Sequence, residues 1–169
     1  MQLGNTLGIP LLIFAAVLNT TLMPEFRLGN GAPDLVFMLV VSWALLADVR
    51  QGLFWAVVGG VLQDMLSVAP LGASALGLVL VAYGADATFG DVHRRNLIIP
   101  PLVAAVGTVL YHISLLIVLE LDGIDIALGQ ALFYVTLPTV IYNSVLIVPI
   151  FRLLGVVHLW LQPRRVRLE

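Results

Sequence analysis

The stretch PDLVFMLVVSWALLADVRQ, residues Pro33–Gln51, carries the pattern that decides the fold. Between Asp34 and Asp48 every residue except Ser42 is apolar, and the run closes on the charged turn Asp48, Val49, Arg50 and Gln51. Proline suits a first helical turn because its missing N–H would be unpaired there, and Asp34 favours the positive end of the new helix dipole. The same pattern recurs on both sides. Upstream, an apolar run from Leu7 to Met23 is closed by Pro24 and a polar turn from Glu25 to Gly31. Downstream, a third run from Gly52 to Val68 is short, about 25 Å if straight. Pro70 and Gly72 break it before a fourth run from Leu71 to about Ala85. Asp86, Asp91, His93, Arg94 and Arg95 form the next loop, and a fifth run from Leu97 to Leu119 ends at the acidic turn of Glu120, Asp122 and Asp125. The sixth apolar run, Ile126 to about Leu161, is too long for one straight span, so its end leaves the membrane or lies along its surface. The expected spans are 7–23, 33–47, 52–68, 71–85, 97–119 and 126–154, in a single transmembrane domain covering 1–169, with 155–169 as a cytoplasmic tail.

Composition agrees with this reading. A chain of 169 residues that is 60% hydrophobic and 11% charged, with a mean hydropathy of +1.06, cannot hide its apolar surface in a soluble core. A hydrocarbon layer of roughly 30 Å takes about 20 helical residues to cross, so six spans and short turns use the whole sequence. The net charge is −2 and the basic residues are few and scattered, which excludes nucleic acid as a partner. Absence of cysteine removes disulfides, thiol catalysis and thiolate metal sites. No basic segment precedes the first run and no small-residue cleavage site follows it, so it reads as a retained span.

Charge sets the orientation. Of eight basic residues, all arginine, threading six spans places Arg50, Arg94, Arg95, Arg152, Arg164, Arg165 and Arg167 on one side and Arg27 alone on the other. The positive-inside rule makes the first side cytoplasmic and puts both termini inside, in a bacterial inner membrane. Trp43, Trp55 and Trp160 then fall near the cytoplasmic boundary, where indoles favour the interface.

Several residues are candidates for function. Gly52, Ala56 and Gly60 recur every four residues, forming a flat groove that admits another helix backbone. Next in that row is Asp64, about 18 Å from Gly52 and well inside the bilayer, where an unpaired carboxylate is costly. It lines a pocket or receives a partner, or else it is satisfied within the bundle by Gln63, Arg27 or backbone. Asp34 is either a helix cap or, with Asp64 and Arg27, part of an outward cluster. His112, about 22 Å along the fifth span with Thr108 and Ala104 on its face, reads as an interhelical hydrogen bonder or a proton relay. Asn143 and Ser144 read as interhelical glue between Pro138 and Pro149, which bend the sixth run. Gly4 and Gly8 form a lone small-residue pair. Gly72, Ala73 and Ser74 with His112 resemble a serine and histidine intramembrane protease, but Ala75 stands where that pattern expects glycine. No ligand spacing points to a metal or cofactor, and none is expected.

In order along the chain, Pro33, Asp34 and Leu35, then Gly59, Gly60, Gln63 and Asp64, then Ser67, Pro70, Leu71 and Gly72 resemble the rod shape-determining protein MreD family. Tyr142, Asn143 and the stretch from Pro149 to Leu154 extend the resemblance over nearly the whole chain. It implies a non-enzymatic scaffold of cell-wall elongation that binds MreC directly and, through it, meets MreB, RodA and a class B penicillin-binding protein. The expected fold is an all-α six-helix membrane bundle with both termini inside. That bundle is similar to the substrate-capture subunits of energy-coupling-factor transporters. Such a vitamin-capture subunit is the alternative function, with Asp34, Asp64 and His112 lining its pocket.

Overall fold

The computed structural model describes residues 3–27, 29–89, 97–124 and 127–161. Among them the architecture is all-helical: α1 Leu3–Thr21, α2 Leu35–Leu46, α3 Val49–Met65, α4 Ala73–Phe89, α5 Ile99–Leu121, the short α6 Leu128–Ala131 and α7 Leu137–Leu161. A 3₁₀ turn, Met23–Phe26, follows α1, and a π-helical turn, Leu132–Thr136, joins α6 to α7.

The stretch Pro33–Gln51 supplies the axis of the molecule. Every residue of α2 from Val36 to Leu46 is buried, and α1, α3, α4, α5 and α7 all pack against it. A helix apolar all round has to be enclosed by other apolar elements. The enclosing helices turn large apolar side chains outward in their turn: Phe14, Val61, Leu80, Leu110 and Val145 are all exposed. Among the described residues, two helical stretches are long and apolar enough to cross a membrane, Ile99–Leu121 at 23 residues and Gly129–Leu161 at 33. At 12 residues α2 extends only about 18 Å.

Helix ends differ from the expected ones for local reasons. α3 begins at Val49 rather than Gly52, because Asp48 caps it by accepting from the Gln51 N–H at 3.0 Å. The turn-like residues 49–51 are therefore its first turn. α7 continues to Leu161, so residues 155–161, read as the start of the tail, are helical. The loop arginines Arg94 and Arg95, Asp125 and the tail arginines Arg164, Arg165 and Arg167 lie outside the described residues.

The bend expected around Pro138 takes a specific form. Proline cannot donate to the carbonyl four residues back, so Tyr134 O is released from the helical ladder, and the chain widens into the π turn closed by Leu137 N–H to Leu132 O. The freed Tyr134 carbonyl accepts the Asn30 N–H at 3.1 Å. Gly31 sits against the same turn, where a Cβ would lie 2.6 Å from Val135 O. One proline in α7 thus docks the loop that delivers Asp34 to the start of α2.

The expected interfacial tryptophans separate. Trp43 and Trp55 are buried in the protein, stacked with ring centroids 4.5 Å apart, whereas Trp160 is exposed. α2 is enclosed on all sides, so its indole reaches a neighbouring helix rather than the lipid boundary.

Candidate functional site

Six helices contribute polar side chains to one connected network at the end of the bundle where α2 begins. Its hub is Asp34, the N-cap of α2, whose Oδ1 accepts from the Phe37 N–H at 2.9 Å. A cap carboxylate holds one of the donors that a helix start leaves unpaired. The same carboxylate accepts from Asn19 Nδ2 of α1 at 2.7 Å and from Gln63 Nε2 of α3 at 3.0 Å to each oxygen. Asn19 also reaches past it, its Oδ1 accepting the Leu35 N–H at 2.8 Å, so α1 helps cap α2. From the other side, Asn143 of α7 accepts the Asp34 backbone N–H at 3.0 Å and donates to Thr108 Oγ of α5 at 3.1 Å.

Asp64 occupies a separate position. It is buried, and its carboxylate accepts the N–H groups of Gly72 at 2.8 Å and Ser74 at 3.0 Å, the donors at the start of α4. One helix therefore caps the next across a tight turn. Gly72 makes that turn with φ at +97°, a conformation that favours glycine. Tyr111 of α5 ties the two carboxylate systems together, donating to Ser74 Oγ at 3.1 Å with Gln63 Oε1 at 3.5 Å.

The partners of both carboxylates are amides and backbone N–H groups, not the Arg27 guanidinium. Arg27 is exposed and lines, with Asp34, Asn19, Thr20, Tyr111 and His112, a cavity of about 420 Å³ beside the network. The expected cluster of two aspartates on one arginine is thus replaced by an amide-bonded hub, with Arg27 on the cavity wall and Asp64 turned to its own turn.

The row of small residues is occupied by the protein itself. A Cβ on Gly52 would lie 2.9 Å from Ala44 Cα of α2, one on Gly60 would overlap the backbone of Ala75 in α4, and Ala56 is fully buried. The groove is where α3 lets two of its own neighbours approach, not an open face. Gly8 of the N-terminal pair packs on Trp55 in the same way.

His112 pairs with Thr136 Oγ1 in the π turn at 2.9 Å. Ser74 is held by Tyr111 instead, so serine and imidazole have separate partners and no nucleophile–base pair forms. Among the described residues no group of three His, Asp or Glu could hold a metal ion.

Sequence reasoning missed Asn19, Tyr111 and Thr136. Polar residues near the end of an apolar run look like ordinary boundary residues. Only the folded arrangement shows that Asn19 reaches across fifteen positions to Asp34.

The family model of the rod shape-determining protein MreD matches residues 2–158. The chain belongs to the MreD family. It is therefore a cell shape-determining membrane protein. Hub, α4 cap and proline-opened turn all lie inside the matched span. No curated protein and no solved structure matches the chain.

Proposed function

We propose that this member of the MreD family is a non-enzymatic scaffold of the bacterial wall-elongation machinery. It spans the inner membrane six times, keeps both termini in the cytoplasm and binds MreC, through which it meets MreB, RodA and a class B penicillin-binding protein. The observation that carries this reading is the family match over residues 2–158. Apolar side chains around the whole circumference support the multi-span reading. α2, at 12 residues, is too short to cross alone, and the non-helical backbone that leads into it can lie at membrane depth because it lines the cavity.

The face for MreC moves from the filled Gly52, Ala56 and Gly60 row to the rim of the polar cavity at Thr20, Arg27 and Asn30, all exposed. Arg27→Glu and Thr20→Trp alter that rim without touching a hub residue. Each should reduce recovery of MreC in affinity purification from native membranes at unchanged expression; full recovery with both would remove the rim from the interface. Ala56→Leu with Gly60→Leu serves as a contrast, expected to prevent accumulation altogether. Orientation has its own test, since a cysteine-free chain accepts single reporters. Asp122→Cys should react with an impermeant thiol reagent from outside and Asp48→Cys only after permeabilisation.

A second reading is favoured by the cavity itself, whose polar wall could hold a small solute as the capture subunits of vitamin transporters do. Calorimetry with purified protein decides it. Tight binding of a vitamin that disappears in Asp34→Asn would replace the scaffold reading.

A further inference from the structure

Arg152 stands within the most extended apolar helix of the molecule, toward its C-terminal end. About 22 Å of α7 separates it from Leu137, and about 14 Å of apolar helix follows it to Leu161. A guanidinium at such a position requires an anion, water or a route to the headgroups. Among the described residues Arg152 has no ion pair or hydrogen bond, and no acidic side chain lines its surroundings. Those surroundings are a cleft of about 410 Å³, walled by Leu46 at the end of α2, Leu97 just before α5, and Phe151, Gly155 and Leu159 of α7. The positive end of the α5 dipole opens beside it. Trp160, one helical turn beyond Val156, is exposed in the manner of an interfacial indole.

From this combination we infer that the α7 cleft is a binding site for an anionic glycerophospholipid. Arg152 takes the phosphate, and one acyl chain lies over Gly155 between Leu46 and Leu159. The charge calls for an anion, the apolar walls call for a hydrocarbon chain, and a membrane offers both in one molecule. Solutes with a phosphate but no chain would leave the walls wet, and a zwitterionic lipid would supply a cation that the described residues of the cleft have no acidic group to receive. The site lies at the opposite end of α2 from the polar hub and is independent of which protein binds there.

The test is native mass spectrometry of the delipidated full-length protein with added phosphatidylglycerol or phosphatidylcholine. The native protein should retain phosphatidylglycerol in preference. Arg152→Gln should weaken that retention about fivefold, in line with one basic residue acting at a membrane surface. Gly155→Leu keeps the charge but fills the cleft. A Cβ there meets Leu46 Cδ2 at an ordinary 3.9 Å and the rest of the side chain extends into the cleft, so the variant should accumulate like the native protein and lose the lipid. Arg27→Gln, at the other end of the molecule, should change nothing. Equal retention of the two lipids by the native protein would overturn the inference, as would undiminished phosphatidylglycerol binding by Gly155→Leu. That variant alone decides the matter should Arg152→Gln not accumulate.

Discussion

The two ends of α2 are secured by opposite means. Where the helix begins, Asp34 is held by Asn19, Gln63 and Asn143, and its donors and acceptors are matched between helices. Where it ends, Trp43 lies on Trp55 with ring planes 8° apart and meets His158 edge-on at 5.4 Å. There the indole nitrogens of both tryptophans and the Ser42 hydroxyl have no hydrogen-bond partner among the described residues. Unpaired backbone beside a cavity has to be satisfied locally, because lipid offers it nothing. Aromatic rings enclosed by other helices can leave a single N–H unmatched, since their packing outweighs it. Polar satisfaction is concentrated at the start of α2, beside the cavity, and bulk at its end.

The sharpest way to break this contrast is Trp43→Ala. If bulk secures the aromatic end, deletion of the indole should cost about 3–5 kcal/mol in chemical unfolding from mixed micelles, the largest effect among these substitutions. A cost below that of the polar variants would mean that the stacked rings fill space without holding it. Next comes Asp64→Ala, which strands the Gly72 and Ser74 N–H groups at the start of α4. Hydrogen bonds to a carboxylate contribute more than neutral ones, so the loss should be about 2–3 kcal/mol, with Asp64→Asn near half of that because one acceptor oxygen remains.

Much of the frame was legible from residues alone, for physical reasons. Apolar runs bounded by Pro, Gly and charge locate helices because the signals for starting and stopping are local. α2, α4 and α5 accordingly lie within a few residues of their expected bounds. The period of four along Gly52, Ala56 and Gly60 also correctly indicated close backbone approach. Its occupant was not legible, because a small-residue row looks the same whether a partner or Ala44 and Ala75 fill it. The carboxylates were found by their cost, and backbone was among the partners expected for Asp64, but those of Asp34 were not legible, since Asn19 and Asn143 lie fifteen and 109 positions from it. The stacked tryptophans, expected at the lipid interface, meet each other instead, because side-chain type predicts depth better than which neighbour a ring will meet.

A smaller effect is expected at Asn143. Replacement by alanine adds no bulk but leaves the Asp34 N–H without an acceptor and takes a donor from Thr108, and interhelical hydrogen bonds in membranes contribute about 1–2 kcal/mol at most. The loss should fall in that range, below that of Asp64→Ala, because one donor is stranded rather than two. If it matched Trp43→Ala, the hub would be the main fastening of the bundle and the aromatic end secondary.

Trp55→Phe should have the smallest effect and is the most informative about why the aromatic end tolerates its unpaired donors. Phenylalanine keeps a ring over Trp43, removes an N–H that has no partner, and withdraws from Gly8 the indole edge that lies where a Gly8 Cβ would go, 2.5 Å from Cε2. Lost packing and relief of a stranded donor oppose each other, so the net change should stay within about 1 kcal/mol. Gly8→Ala then reads the cause. In the native protein the added methyl collides with the indole and should destabilise; combined with Trp55→Phe, the vacated edge receives it and the penalty should shrink or reverse. That non-additivity is the signature of two residues sharing one space. Additive costs would mean that the indole had been held by its nitrogen after all, and the two ends of α2 would then be fastened in the same way.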